Sequence, residues 1–441
     1  MACSIETGEV MKILMLGWEF PPFISGGLGT ACYGLTRAMS QTGTEIIFIL
    51  PRPVTGEYST HVKMAGPGYR APQADVFQLP EFAHVKFRAI ASALSPYQTP
   101  KAYEDLLARL RAKGLVQIGE PGEALEFSRS REHYGSNLYD EVQRYARLSA
   151  LIAQEEEFDI IHAHDWMTFP AGIAVAALTG KPLIVHVHST EFDRSGEHVN
   201  QRVYDIERQG LYAATKIIAV SYLTRQIIIN RYSISPDKVS VVYNAVDMNG
   251  RPLDTNMASI RKDEKIVLFL GRITMQKGPE YFLAAAKKVL EVMDNVKFVM
   301  AGSGDMVNRT IEMAAGMGIG HKVLFTGFLR GGDVDKIFRM ADLFVMPSVS
   351  EPFGLVPLEA LRNDVPVIIS KQSGIAEVLT HALKVDFWDI NEMANKIIAV
   401  LRHPPLHATL REHGNFEVRK FSWQDSARQC LDVYQSILAP V

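Results

Sequence analysis

The run Phe344-Val-Met-Pro-Ser-Val-Ser-Glu-Pro-Phe-Gly-Leu-Val-Pro-Leu-Glu-Ala360 decides how the rest of the chain is read. Its apolar start has the composition of a buried strand, Pro347-Ser348 and Glu351-Pro352 stop that strand, and Leu355 to Leu361 has the spacing that opens a helix. Backbone N–H groups at a helix start have no partner inside the helix. Phe353, Gly354, Leu355 and Val356 therefore offer, with the helix dipole, a seat for a phosphate. Glu351 precedes the helix and Glu359 is expected in its first turn. Carboxylates beside an anion site repel the phosphate unless they face hydroxyls, and sugar hydroxyls donate to carboxylate oxygens. The pattern describes a pocket for a sugar joined to a phosphate joined to a ribose. For Glu359 alone, the simpler use is an acid favoured by the dipole.

Working outward, 441 residues exceed one ordinary core and suit two domains of about 150 to 250 residues each. Hydrophobic residues at 47% and charged residues at 22% are in the balance of a globular protein. A net charge of -3 without a long Lys/Arg run argues against a nucleic-acid partner. No apolar run approaches the roughly 20 residues that span a bilayer. Residues 1–10 read as a disordered extension rather than a secretory signal. Cys3, Cys32 and Cys430 are odd in number and far apart, which indicates neither disulfides nor a cysteine metal site and fits a reducing cytoplasm.

In the N-terminal half, Lys12 to Gly17 reads as a buried parallel strand and Thr30 to Ser40 as a helix, with Pro21 to Gly29 as the loop between. Gly26 and Gly27 in that loop let backbone approach a phosphate, although a tight turn without a ligand uses glycine in the same way. Glu45 to Pro51 is the second strand. The region from about Thr55 to Tyr139, with an insert at about 55–135, has a helix expected from Tyr103 to Ala112 and aromatic residues Tyr97, Tyr103, Tyr134 and Tyr139 that suit either sugar stacking or packing. Leu138 to Gln154 has helical spacing. Phe158 to Trp166 is a strand carrying His162, His164 and Asp165 at its carboxyl end, where open α/β sheets gather ligands. The two histidines are taken to point to opposite faces of the strand, one apiece, which argues against zinc. Lys181 to Val187 is a further strand, ending in His186-Val-His-Ser-Thr190, with His188 either touching substrate or standing behind it. Ile217 to Val220 and Val239 to Tyr243 complete an alternation of strand and helix that implies a parallel sheet covered on both faces.

After an aperiodic linker at 248–262 the alternation restarts. Ile266 to Leu270 runs into Gly271-Arg-Ile-Thr-Met-Gln-Lys-Gly278, where Arg272 and Lys277 bracket a loop before the next helix and suit a diphosphate. Val296 to Met300 leads to a second glycine turn, Ala301-Gly302-Ser-Gly-Asp305, placed near the nucleotide base. Lys322 to Phe325 and Pro366 to Ser370 are strands. Asp333-Val-Asp335 has the form of a metal motif but stands between Gly331-Gly332 and an apolar-periodic helix, so helix capping accounts for it and no metal is expected.

Pro-Ser-x-x-Glu-Pro-Phe-Gly-Leu-x-x-x-Glu resembles the E-x7-E motif of retaining glycosyltransferases of the GT-B architecture, the superfamily that includes glycogen and starch synthases. Other stretches agree in the family's order: the Gly-Gly loop at Gly26 and Gly27, His164-Asp-Trp166, Asn244-Ala-Val-Asp247, Gly-Arg-x-x-x-x-Lys-Gly at 271–278, Ser373-Gly374 with Glu377, and Phe421-Ser-Trp423 before a last helix. One departure is Ser25, where glycogen and starch synthases usually carry a lysine. The resemblance implies two facing Rossmann-like domains, 11–250 with its insert and 251–420, and a closing helix in 421–441 that crosses back. It implies transfer of a hexosyl unit from a nucleotide-diphosphate sugar without a cofactor or metal, with His164, Arg272, Lys277 and Glu351 catalytic. Gly26, Gly27, Gly302, Phe353 to Val356 and Glu359 would hold the donor, Glu359 by its ribose. The Trp18-Glu-Phe-Pro-Pro start and the insert resemble glucan synthases, so the expected acceptor is an α-glucan. The alternatives are an envelope or lipid-linked glycan as acceptor, a nucleotide-sugar epimerase of the same fold, and a non-catalytic sugar-binding protein.

Overall fold

The computed structural model describes residues 11–21, 26–52, 75–77, 83–91, 137–248 and 264–438. The expected extension at 1–10, the helix at 103–112, Ser25, Tyr97, Tyr103, Tyr134 and nearly all of the linker lie outside the described residues.

The first half runs β1 (Lys12–Leu16), α1 (Gly27–Gln41), β2 (Glu45–Arg52), β3 (Asp75–Phe77), β4 (Val85–Ala91), α2 (Asn137–Ala153), β5 (Ile160–His164), α3 (Phe169–Thr179), β6 (Leu183–Val187), α4 (Glu191–Ser195), α5 (Gln201–Ala213), β7 (Lys216–Ala219), α6 (Tyr222–Tyr232) and β8 (Val239–Val241). Among the described residues these strands form one eight-stranded sheet in the order β3-β4-β2-β1-β5-β6-β7-β8, parallel except for β3 against β4. Ile13, Leu14, Met15 and Leu16 are all fully buried, as a strand covered on both faces requires. Helix α1 begins at Gly27, three residues before the expected Thr30, so the glycine loop already contains the first helical turn.

The second half runs β9 (Lys265–Leu270), α7 (Pro279–Leu290), β10 (Val296–Ala301), α8 (Val307–Gly316), β11 (Val323–Gly327), α9 (Gly332–Met340), β12 (Leu343–Met346), α10 (Leu355–Arg362), β13 (Val367–Ser370), β14 (Leu383–Val385), α11 (Ile390–Arg402), α12 (Pro404–Val418) and α13 (Trp423–Leu438). Its described strands form a parallel six-stranded sheet, β11-β10-β9-β12-β13-β14. The Asp333 and Asp335 expectation needs correction. Gly331 is the cap of α9 and no side chain caps it; the two acids lie in the first turn, Asp333 paired with Lys336 at 2.9 Å and Asp335 with Arg362 at 3.1 Å. The dipole and nearby cations account for them.

Helix α13 returns to the first half, as the family resemblance implies. Trp423, Ala427, Cys430 and Tyr434 recur at helical spacing and are buried in the first core. Its indole lies where α1 has no side chain: a Cβ on Gly34 would stand 2.1 Å from Trp423 Cε2. Burial of large side chains of this kind is worth roughly 1.5–3 kcal/mol each, which holds the helix across the join.

Candidate active site

In the second sheet β9 is flanked by β10 on one side and β12 on the other, so the loops after β9 and β12 part at a topological switch point. These are the loops of Arg272, Lys277 and Glu351. They touch backbone to backbone: Gly278 has φ 65°, and a Cβ there would meet Pro347 O at 2.1 Å. Gly302 has φ 147° and faces Gly271 O at 1.8 Å in the same sense, which brings the third loop in. Only glycine permits both approaches. Lys277 Nζ reaches Glu351 Oε2 at 2.5 Å, and Ser348 Oγ donates to the same oxygen at 3.1 Å. Gln276 ties the loops, accepting from Val349 N at 2.9 Å through its carbonyl and from Arg272 Nη2 at 3.4 Å through its side chain. Phe353 is buried against Tyr243, and its carbonyl accepts from Ile375 N at 2.7 Å. Leu355 and Val356 open α10, so their N–H groups are directed out of the helix start.

Glu359 is the fifth residue of α10, in its second turn rather than its first, because the helix starts only after Gly354. Burial raises its pKa, Arg362 opposes that rise and Asp335 adds to it. With Thr30, Arg37 and Arg362 it lines a crevice between α1, residues 245–248 and α10.

Across the cleft stands Glu19, a site residue the sequence reading missed. It follows β1, beside the β1–β5 switch point, and accepts from Gly29 N at 2.8 Å. A Cβ on Gly26 would lie 2.8 Å from its Oε2, so the carboxyl and the glycine loop shape one another. Burial pushes Glu19 up to about 7, against the pull of the Gly29 N–H and of Arg272 from the other half. The available signal was an acid between Trp18 and Phe20 at a strand end just before a glycine loop.

The histidines correct the sequence reading. His162 and His164 stack with ring centroids 4.3 Å apart, on one face of β5 rather than two. Strand side chains alternate, so residues two apart share a face. His164 lies beside His186 in register, and His188 follows on the same side, with its ring centroid 4.2 Å from that of His186. His162 bonds Tyr434 OH through Nδ1 and His186 Nδ1 through Nε2 at 3.2 Å, while His164 Nδ1 meets His188 Nε2 at 3.0 Å. Burial lowers the pKa of all four, His164 to about 3, so the rings are neutral. Among the described residues Cys32, His164 and His188 form one group with potential ligand atoms within 4.8 Å, and His162, His164 and His186 another. The expected shortage of ligands does not exist. Asp165, at φ 60°, is held in this strained turn by accepting from His188 N at 2.7 Å and Ser189 N at 3.3 Å.

Polar contacts join the halves over the cleft. Ser350 Oγ donates to Asp193 Oδ1 at 2.6 Å, and α4 packs on the turn Met275–Lys277. Glu377 accepts from Tyr222 N at 3.0 Å and Leu223 N at 2.6 Å, so an acid of the second half serves the N-terminus of α6 in the first. Tyr139, from the edge of the insert, packs at 6.2 Å from Trp166 and bonds Asn200, which is a structural use.

Residues 252–415 match the family described as glycosyl transferases group 1, and residues 119–249 match glycosyltransferase family 4. The chain is a GT-B glycosyltransferase. An uncharacterized glycosyltransferase of Methanocaldococcus jannaschii is 28% identical over 96% of this chain and 98% of its own length. A glycogen synthase of Mycobacterium tuberculosis is 24% identical over 96% and 94%. The solved structure of a sucrose-phosphate synthase from Thermosynechococcus elongatus superposes with a TM-score of 0.72 at 19% identity, covering 97% of this chain and 99% of that one.

The glycosyltransferase acts on a nucleotide-diphosphate sugar and a carbohydrate acceptor. Its structure gathers Arg272, Lys277, Gly302, Glu351 and Phe353 to Val356 at one switch point, and sets Gly26, Gly27 and His164 on the facing half. Glu359 lines the crevice behind α10's first turn. Among the described residues no helix of the glycosyltransferase is long and apolar enough to cross a membrane.

Proposed function

We propose that this enzyme transfers a hexosyl unit, glucosyl first among candidates, from a nucleotide-diphosphate sugar to an α-glucan, with retention and without a metal ion, in the cytoplasm. The observation that carries the reading is the contact of Lys277 with Glu351 beside the start of α10. A cation, a second cation at Arg272 and free backbone N–H groups stand next to a carboxylate that can accept from sugar hydroxyls.

In this reading the diphosphate sits between Arg272, Lys277 and the N–H groups of Leu355 and Val356, with Gly26 and Gly27 covering it from the other half. Glu359 holds the ribose, Glu351 hydroxyls of the transferred sugar, and His164 its 6-position. The bond from the anomeric carbon to the diphosphate oxygen breaks, the diphosphate keeps the electron pair, and the acceptor hydroxyl adds to the same face while its proton passes to the departing oxygen. Charge grows on the diphosphate as this happens, so the two cations and the helix N-terminus bind the transition state more tightly than the donor. Closure of residues 11–250 on 251–420 keeps water out.

The acceptor rests on the Trp18-Glu-Phe-Pro-Pro start, the insert and the likeness to a glycogen synthase. Ser25, standing where glucan synthases usually have lysine, weakens the likeness to a classical glycogen synthase without pointing to another acceptor; the second reading is an envelope or lipid-linked glycan. Incubation with a panel of nucleotide sugars, with and without maltooligosaccharides, tests both. Rates should rise from glucose to maltose to longer chains, and Tyr97→Ala or Tyr134→Ala should blunt that rise while sparing the donor KM. Equal rates at all lengths, or transfer only to another glycan, would displace the glucan. Conversion of the donor without any acceptor would make the enzyme an epimerase.

A further inference from the structure

The mechanism above uses His164 and leaves its neighbours unexplained. His188 Nε2 lies 3.0 Å from His164 Nδ1, and the Cys32 thiol on α1 has its sulfur within 4.8 Å of a nitrogen on each ring. His164 Nε2 and His188 Nδ1 are buried and bond no protein atom. Two imidazole nitrogens on one tetrahedral cation, at about 2.0–2.1 Å each, stand about 3.3 Å apart. A cation can therefore take the place of the shared proton with the two nitrogens parting by only a few tenths of an ångström, provided both rings turn to aim their lone pairs at it, the displaced N–H shifting to that ring's other nitrogen. The thiol closes by roughly 1 Å and loses its proton to solvent.

The chemistry of the set is selective. One thiolate and two imidazoles favour zinc-like ions over magnesium or calcium, and three protein ligands leave a fourth position open. Burial raises the pKa of the Cys32 thiol and the nearby carboxyls of Glu19 and Asp165 push it the same way, so the thiolate forms only with the cation, whose charge those carboxyls offset. Access comes from the side of His188 and Ser189, which are only half-buried. The second group is a poorer site, since His162 has both nitrogens bonded and its members are wholly buried.

We infer that Cys32, His164 and His188 form a site for a thiophilic divalent cation such as Zn2+, and that its occupation inhibits the transferase by taking His164 from the donor. The inhibition rests on the role proposed for His164; capture of the cation does not.

The full-length protein, stripped with EDTA, should bind Co2+ one to one, with release of one proton and a thiolate-to-cobalt charge-transfer band in the near ultraviolet. Cys32→Ser should abolish the band, and His188→Gln should weaken Co2+ binding about tenfold or more, with thermal melts confirming that both variants fold. Zn2+ should inhibit wild-type transfer while Cys32→Ser keeps its basal rate and resists Zn2+. Absence of the band in the wild type, or its persistence in Cys32→Ser, overturns the site. A full cobalt spectrum with transfer undiminished overturns the inhibition, and because the spectrum needs no sugar donor, it is read independently of the proposed reaction.

Discussion

Lys277 Nζ, on the loop after β9, stands 2.5 Å from Glu351 Oε2, on the loop after β12, and the two loops are locked by the approach of Gly278 to the Pro347 carbonyl. The pair is therefore fixed relative to the start of α10, where the proposed phosphate seat lies.

Glu351→Gln and Lys277→Ala should each lower kcat by about 10² to 10³, since in the proposed reaction each removes a charged partner that acts mainly in the transition state. Nucleotide affinity, followed by calorimetry, should change much less. Near-normal turnover in either variant would place the sugar elsewhere.

Activity should withstand EDTA. In the proposed reaction Arg272 and Lys277 take the part a divalent ion plays in other transferases, so chelation removes nothing the reaction uses and frees His164 of any bound zinc. Loss of activity with recovery on adding manganese would refute the metal-free mechanism.

Glu377→Ala should loosen the join between the halves. Its carboxyl serves the Tyr222 and Leu223 amides across the cleft, and loss of a helix cap costs about 0.5–2 kcal/mol. Hydrogen exchange at those two amides should quicken and kcat/KM should fall roughly 2- to 30-fold. Unaltered exchange would show that solvent already serves these amides.

Stability should depend on pH through Glu207. Arg194 is shared by two buried carboxyls, Glu191 at 3.1 Å and Glu207 at 2.5 Å, and Tyr232 also donates to Glu207. Burial pushes Glu207 up to about 7 against the pull of Arg194, so the folded protein holds this proton where the unfolded chain, near 4.5, has released it. The stabilisation is complete below 4.5 and is lost as pH rises through about 7, amounting to on the order of 3 kcal/mol. Urea unfolding at pH 5 and pH 8 should show a smaller loss of stability in Glu207→Gln than in the wild type. Identical pH dependence in the two proteins would mean that Glu207 is ionised throughout.

The sequence by itself determined the alternation of strand and helix in both halves outside the insert, where β3 and β4 join the first sheet without having been expected, and it pointed to the residues proposed for the nucleotide side. Those signals are local: apolar runs mark strands buried on both faces, glycine and proline mark the turns, and Arg272, Lys277 and Glu351 lie within short stretches whose spacing is set by one loop and one helix start. Tertiary structure decided which distant groups meet. The charge of Arg272 on Glu19, Asp193 under Ser350 and Glu377 on α6 depend on how two sheets face each other, and that leaves no periodic trace in the chain. The four histidines needed both levels. Strand parity places His162 and His164 on one face, but only the register of β5 with β6 sets His164 beside His186 and brings His188 to its ring nitrogen. Packing of α1 over that face then adds Cys32, because neighbours across a covered sheet are chosen by the close fit of helix on strand rather than by anything written at either position.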